Sequence, residues 1–360
     1  MPSISRRSFL AGAGAAASLP LVSACGGPDK QPAAGVPRSP FGAASTAAEV
    51  TAGIDLSGRL AVVTGCTSGI GFETMRALAA RGAYVVGTSR SLARAEEACR
   101  RVVGVTTPIA LELGEPESIV ECAAQIRTLK APIDILVCNA GVRGGGNERL
   151  LVNGVERHFA INHLGHFLFV NRLLERLYLA WQGRIVVVAS RTAYTSAPEP
   201  GIDFDNLDGS RYYSDSLAYG QSKLANVLFA RELGKRLRGT RITANALHPG
   251  LIDTEIDRNL GTFTRFGFGI LASLVGKTIE EGAATSCYLA TSPDLGAVSG
   301  QYFEDCNAVT IVGNPHMQND TLGERLWDVS ADLVGDYMDE LERPQPGDFE
   351  RRGRRPGNGR

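Results

Sequence analysis

Thr64-Gly65-Cys66-Thr67-Ser68-Gly69-Ile70-Gly71-Phe72-Glu73 follows directly on the apolar run Leu60–Thr64 and leads into a helical pattern over Phe72–Arg81. A glycine-rich turn between a strand and a helix lets backbone amides approach a pyrophosphate at a helix N-terminus, where partial positive charge already sits. Gly65 permits the tight turn, Gly69 the close backbone approach, and Gly71 close packing of helix on strand. Turns use glycine anyway, so a lone cluster is weak evidence. Its place between the first strand and the first helix makes this one a dinucleotide site.

Outward from that turn, short apolar runs alternate with segments of helical length. The runs are Leu60–Thr64, Tyr84–Thr88, Thr107–Leu111, Ile133–Val137, Arg184–Ala189 and Ile242–Leu247, with a seventh near Gln301-Tyr302-Phe303. They are nearly continuous in apolar residues, as in strands covered on both faces of a parallel sheet. Amphipathic segments such as Ser118–Lys130 and Leu217–Arg238 lie between them. The expectation is one α/β domain over residues 56–332, a Rossmann-type doubly wound parallel sheet of about seven strands with helices on both faces.

The second run ends Gly87-Thr88-Ser89-Arg90 rather than in an acidic residue. An acid there would bind a ribose 2′-hydroxyl, whereas an arginine pairs with a 2′-phosphate. Arg90 therefore favours NADP(H) over NAD(H). A solvated charge beside a Ser91 helix cap is its plainer reading.

Tyr219-Gly-Gln-Ser-Lys223 opens another helix, and i, i+4 spacing puts Tyr219 and Lys223 on one face. A free tyrosine titrates near ~10, and an adjacent ammonium favours its phenolate. The fifth run leads directly into Ser190, at the carboxyl end of a strand, where ligand crevices open in α/β sheets. The fourth ends Cys138-Asn139-Ala140-Gly141. Asn162 sits mid-helix in Phe159-Ala-Ile-Asn162-His-Leu-Gly-His166-Phe, an intrinsically unfavourable place. His248-Pro249-Gly250-Leu-Ile-Asp-Thr254 follows the sixth run and can hold a carboxamide.

These motifs, covering about residues 56–305, resemble the short-chain dehydrogenase/reductase family. The stretches Asn162-His-Leu-Gly-His-Phe and Ala218-Tyr-Gly-Gln-Ser-Lys-Leu-Ala-Asn-Val-Leu-Phe, and the Ser190-to-Tyr219 interval, resemble its retinol dehydrogenase and WW-domain oxidoreductase subgroup. The resemblance implies Tyr219 as general acid/base, Lys223 on the nicotinamide ribose, Ser190 orienting the carbonyl or alcohol, and Asn162 supporting a proton relay. It also implies cofactor contacts from Gly65, Thr67, Ser68, Gly69, Ile70 and Gly71. Ser89, Arg90, Glu112 and Leu113 would follow around the adenosine end. Asn139, Ala140, Gly141, Lys223, Pro249, Gly250 and Thr254 would complete the set. Cys138 replaces the usual asparagine before Asn-Ala-Gly, and Glu112 the usual aspartate. The activity expected is NADP(H)-dependent interconversion of an apolar alcohol and its aldehyde or ketone. The alternative is a catalytically idle nucleotide-binding lipoprotein acting as a redox sensor or assembly partner.

Two further features admit more than one reading. His158, His163 and His166 invite a metal, but steps of five and three residues turn roughly 140° and 60° around a helix; no metal is expected. Phe263-Thr-Arg-Phe266-Gly-Phe268 reads equally as core or as a hydrophobic substrate wall.

Residues 1–25 read as an address. Ser5-Arg6-Arg7-Ser8-Phe9-Leu10 is a twin-arginine pattern, a small-residue stretch follows, and Val22-Ser23-Ala24-Cys25 resembles a bacterial lipobox. Ordinary cleavage after an Ala-x-Ala-type site, or a start placed too far upstream, are the competing readings. Residues 26–55, with many Gly, Pro, Ala, Ser and Thr, read as a flexible tether. Residues 333–360 read as a largely disordered basic tail. The expected location is the outer face of a bacterial cytoplasmic membrane or the periplasm, with the membrane met only through an N-terminal lipid; the cytoplasm is the alternative. In all, 37 basic residues face 38 acidic ones in 360, which argues against a nucleic-acid partner. A hydrophobic content of 44% excludes a disordered chain. Seven cysteines without a CxxC pair give no zinc spacing. A homo-oligomer remains possible.

Overall fold

A computed structural model describes residues 28–144, 148–251 and 276–338. Strand β2, Leu60–Thr64, is buried at every position. Leu60 and Val62 pack into one apolar cluster while Ala61 and Val63 pack into the other, on the opposite face. That alternation is the two-residue period of a strand, and with both faces covered it leaves no polar position before Thr64 at the carboxyl end.

On one side of β2 lie β3 (Tyr84–Ser89) and β4 (Thr106–Ala110); on the other lie β5 (Ile135–Cys138), β8 (Gly183–Val188), β9 (Ile242–His248) and β10 (Tyr302–Glu304). These seven strands are parallel, in the order β4-β3-β2-β5-β8-β9-β10. The chain runs outward from β2 through β3 to β4 and then crosses back to β5 on the other side of β2, so a crevice opens at the carboxyl ends of β2 and β5. A separate two-stranded ladder joins β6 (Leu151–Val152) to β7 (Val155–Glu156).

The sheet has nine strands, not seven. β11 (Asn307–Ile311) turns back antiparallel to β10, and β1 (Lys30–Pro32) pairs antiparallel with β11. The tether reading of residues 26–55 therefore fails from Lys30 onward. Backbone pairing to a sheet edge needs no side-chain period, and Pro32 is tolerated because its strand is at the edge. Further along, Thr46 and Glu49 form a reciprocal capping box that starts α1 (Ala47–Val50), with Ala47 and Val50 buried. Both details were present in sequence as Thr-Ala-Ala-Glu.

The C-terminal boundary moves as well. Helix α9 (Asp320–Leu333) lays Trp327 on Phe167 and Phe229, with ring centroids 4.9 and 5.9 Å apart, and Val334 and Met338 are buried beyond it. The folded body thus runs at least to Met338 rather than ending at 332. Cys66, Cys99, Cys122, Cys138, Cys287 and Cys306 are free, buried thiols. Residues 1–25, with Arg6, Arg7 and Cys25, lie outside the described residues.

Candidate active site

The glycine turn leaves β2 at Thr64. Gly65 and Gly69 hold φ of +72° and +56°, the left-handed region that favours glycine. A Cβ on Gly71 would collide with the Gly65 carbonyl oxygen and the Asn139 side chain. Helix α2 (Gly69–Ala80) starts here without a side-chain cap, so its first-turn N–H groups stay available to a ligand. Thr64 and Asn139 tie the turn to the neighbouring strand. Asn139 Nδ2 donates to the Thr64 carbonyl at 2.9 Å, while Thr64 Oγ1 accepts from the N–H groups of Asn139 and Ala140, each at 2.9 Å.

A cleft of about 550 Å³ runs from this turn along the carboxyl edge of the sheet, within the usual size of cofactor sites. Every candidate cofactor residue among the described ones lines it: Gly65, Thr67, Ser68, Gly69, Ile70 and Gly71 at the turn, then Ser89, Arg90, Glu112 and Leu113. Asn139, Ala140, Gly141, Lys223, Pro249 and Gly250 continue the wall. Thr254 lies outside the described residues, as do Phe263, Phe266 and Phe268. The Arg90 side chain is 72% exposed, with Nε 3.8 Å from Glu112 Oε2. Ser91 caps α3 (Leu92–Arg100) by accepting from the Arg94 N–H, so the cap and the cleft-facing arginine coexist. These residues fit a nicotinamide dinucleotide: a left-handed glycine turn at an uncapped helix start, with cations beyond the second strand.

At the other end stand three of the four proposed catalytic residues. Tyr219 and Lys223 lie one turn apart on α7 (Asp215–Arg236), both buried, with Lys223 Nζ 5.7 Å from the Tyr219 ring centre. Lys223 Nζ donates to the Val188 carbonyl at 3.2 Å. Burial, and next the Arg143 guanidinium, pull its pKa down to about 8. Ser190 follows β8 and lines the same cleft, its Oγ accepting from the Thr192 N–H at 3.3 Å.

Asn162 is placed differently. It lies behind the cleft wall in a π-helical turn, Phe159–Leu164, that runs into α5 (Gly165–Tyr178). Such turns interrupt helices often at functional sites. Its Oδ1 accepts from the Val142 N–H at 2.8 Å; its Nδ2 donates to the Val142 carbonyl and to Ser222 Oγ, both at 3.0 Å. Ser222 Oγ donates in turn to the Tyr219 carbonyl at 2.8 Å. A Cβ on Gly141 would sit 3.1 Å from Asn162 Oδ1 and 3.5 Å from Lys223 Nζ, so both groups crowd the space a side chain would take there.

The three histidines go to three different partners. His158 Nδ1 meets Glu156 Oε1 at 2.7 Å, His163 Nε2 meets Ser330 Oγ at 2.8 Å, and His166 meets Thr64 and Asn162.

Several residues in and beside the cleft were given no role by the sequence reading. Arg143 places its guanidinium 5.2 Å from the Tyr219 ring centre. It stands two residues past the Asn-Ala-Gly motif, and that position is the one signal that could have found it. His248 lines the cleft and is buried, and its pKa falls to about 3 through burial and the nearby charges of Arg191, Lys277 and Lys30. Beside it, the buried Glu304 carboxylate accepts from Tyr194 OH at 2.8 Å and Tyr302 OH at 3.1 Å, and pairs with Lys30 of β1. Arg191 Nε donates to Tyr194 OH at 3.0 Å. No local motif signals this network, because its members come from four distant segments.

A dinucleotide cleft at the carboxyl edge of a doubly wound sheet, with a buried tyrosine and lysine one turn apart, defines an NAD(P)-dependent oxidoreductase. A family model described as short chain dehydrogenase matches residues 59–201. The chain is 39% identical to the short-chain dehydrogenase TIC 32 A of Brassica napus, over 82% of this chain and 95% of that one. It is 37% identical to retinol dehydrogenase 11 of Mus musculus, over 79% and 89%. The WW domain-containing oxidoreductase of Gallus gallus is 34% identical, over 86% and 76%. Among solved structures, an uncharacterised protein of Mycobacterium paratuberculosis matches with a TM-score of 0.63 at 29% identity, over 79% and 97%. The RhlG/NADP complex of Pseudomonas aeruginosa matches with a TM-score of 0.55 at 25% identity, over 69% and 95%. The chain belongs to the short-chain dehydrogenase/reductase family.

Proposed function

We propose that this protein interconverts an apolar alcohol and its aldehyde or ketone, preferring NADP(H), with Tyr219 as the general acid/base. The observation that carries this reading is the convergence of Tyr219, Lys223 and Ser190 on the cleft that the glycine turn opens. The cofactor supplies or accepts the hydride when bound. Ser190 Oγ is positioned to hydrogen-bond the substrate oxygen, and Tyr219 OH to give or take its proton. Lys223, as an ammonium in a buried site, favours the tyrosine phenolate. Asn162 holds Val142 and, through Ser222, the backbone of Tyr219. An idle fold could lose Ser190 or Tyr219 without harm, and this chain keeps both in place.

Arg90 supports the preference for NADP(H), as a half-free cation beside Glu112 where a 2′-phosphate would lie. Export by the twin-arginine route and lipidation at Cys25 rest on Arg6-Arg7 and Val22-Ser-Ala-Cys25. With Lys30 already in the sheet, the five residues from Cys25 span at most about 17 Å. A lipid there would hold the enzyme against the bilayer rather than on a long tether. Turnover of a panel of medium-chain and retinoid-like aldehydes with NADPH and NADH tests the catalytic reading: steady NADPH oxidation supports it, and silence across the panel with both nucleotides rejects it. Fractionation of cells fed a labelled fatty acid tests the location; label-free protein in the cytoplasm rejects it.

A further inference from the structure

His166 is fully buried and lies outside the cleft, yet it joins two parts of the site. Its Nε2 is 3.0 Å from Thr64 Oγ1, and its Nδ1 is 3.0 Å from the carbonyl oxygen of Asn162, one turn earlier. Which nitrogen carries the hydrogen follows from counting at Thr64. A hydroxyl has one hydrogen and two lone pairs. The backbone N–H groups of Asn139 and Ala140 both donate to Thr64 Oγ1 at 2.9 Å and so occupy both lone pairs. Its hydrogen must then point to an acceptor. His166 Nε2 is nearer than the competing Val137 carbonyl at 3.4 Å. Nε2 therefore accepts, the hydrogen sits on Nδ1, and Nδ1 donates to the Asn162 carbonyl.

The ring must stay neutral for this, and its surroundings keep it so. Burial, with the charge of Lys223 adding to it, lowers its pKa to about 4, although the Asn162 carbonyl pulls the other way. The result is an unbroken path, buried from Thr64 inward. It starts at the backbone of Asn139 and Ala140, which line the cofactor cleft, and passes through Thr64 Oγ1 and His166 to the Asn162 peptide. From there the Asn162 side chain reaches Ser222 and the Tyr219 carbonyl.

We propose that His166 is a positioning residue: as the Nδ1–H tautomer it anchors the Asn162 peptide to the Thr64 hydroxyl, and so fixes the Asn162–Ser222–Tyr219 chain against the cofactor turn. This rests on the reading of Tyr219 as acid/base. The plain competitor is a histidine that merely fills the core with its polar atoms satisfied.

Two conservative variants separate these. In His166→Asn the amide keeps a donor near the place of Nδ1 but falls short of Thr64. In His166→Gln the longer amide reaches Thr64 but leaves the Asn162 carbonyl without its donor. A filler role lowers melting temperature and activity alike in both. Positioning predicts that each variant, by cutting one end of the bridge, loses at least tenfold in kcat with the NADPH KM changed less than about twofold and the melting temperature close to that of wild type. A kcat within threefold of wild type in either variant, or a fall in kcat that only follows a fall in melting temperature, overturns the proposal. A readout free of activity accompanies it: ¹⁵N shifts of the His166 ring at pH 7 in the full chain, assigned by their loss in His166→Asn. A protonated Nδ1 with a bare Nε2 is expected, and the reverse tautomer overturns the proposal even if no substrate is found. Wild-type protein inactive on every substrate with either nucleotide rejects the catalytic reading instead, and the tautomer still decides this one.

Discussion

The site region has two halves built by opposite means: the cofactor side of the cleft, and a charged network that meets the cleft wall at His248. The cofactor half, from Thr64 to Gly141, is assembled from strand ends and turns that follow one another in the chain, and its key contacts are backbone groups and glycines. The charged half gathers Arg191, Tyr194, His248 and Lys30 around the buried Glu304 carboxylate, across sequence separations as large as that from Lys30 to Glu304, and of these only His248 lines the cleft. Backbone-built sites tolerate little change of shape, while side-chain networks tolerate changes of shape but not loss of a partner. The first half should fail by steric exclusion and the second by uncompensated charge.

The largest expected effect comes from adding atoms to the first half. Gly71→Val places a branched side chain against the Gly65 carbonyl and Asn139, and should abolish measurable NADPH binding in a titration of its fluorescence, a loss of at least a hundredfold. Binding within threefold of wild type would show that the turn can open at little cost. Next is Glu304→Leu in the second half. It strands Lys30 and leaves Tyr194 and Tyr302 without their acceptor, and should cost about 3 kcal/mol in urea unfolding, the low end for a broken buried pair because Lys30 reaches water. Its NADPH affinity should hold within about twofold; a large loss of affinity would mean that the halves are not independent.

Arg90→Ala should weaken NADPH by roughly tenfold and NADH hardly at all, a modest figure because the side chain is largely exposed. Equal loss for both nucleotides would make Arg90 a surface charge. The smallest effect is one of pH. Lys223 titrates near pH 8 in the folded protein, below the ordinary lysine range, so its ammonium is lost as pH rises through about 8 and kcat/KM should fall there. Arg143 is the second cause of that depression after burial, so Arg143→Met should move the alkaline limb upward. A limb unmoved or moved down would detach Arg143 from Lys223.

The same contrast explains what could be read from the chain alone. Seven parallel strands, the glycine turn and the Tyr219–Lys223 pair declare themselves through local period and spacing, because their physics is local. β1 does not, since an edge strand pairs through its backbone and Lys30-Gln31-Pro32 carries no apolar pattern. Asn162 was legible as an unfavourable helical residue, but its place behind the wall, and the π-helical turn that puts it there, were not. Arg143 and Glu304 needed the fold: each is an ordinary charged residue until the strands bring it beside Tyr219 or Lys30.

The central claim is that Tyr219 moves the proton while the glycine turn and Lys223 hold the nucleotide. Tyr219→Phe tests it most directly, with single-turnover hydride transfer and NADPH affinity measured on the same protein. The account predicts transfer below a hundredth of wild type with the NADPH Kd changed no more than a few-fold. Transfer above that level, at normal affinity, would remove Tyr219 from the acid/base role and contradict the account.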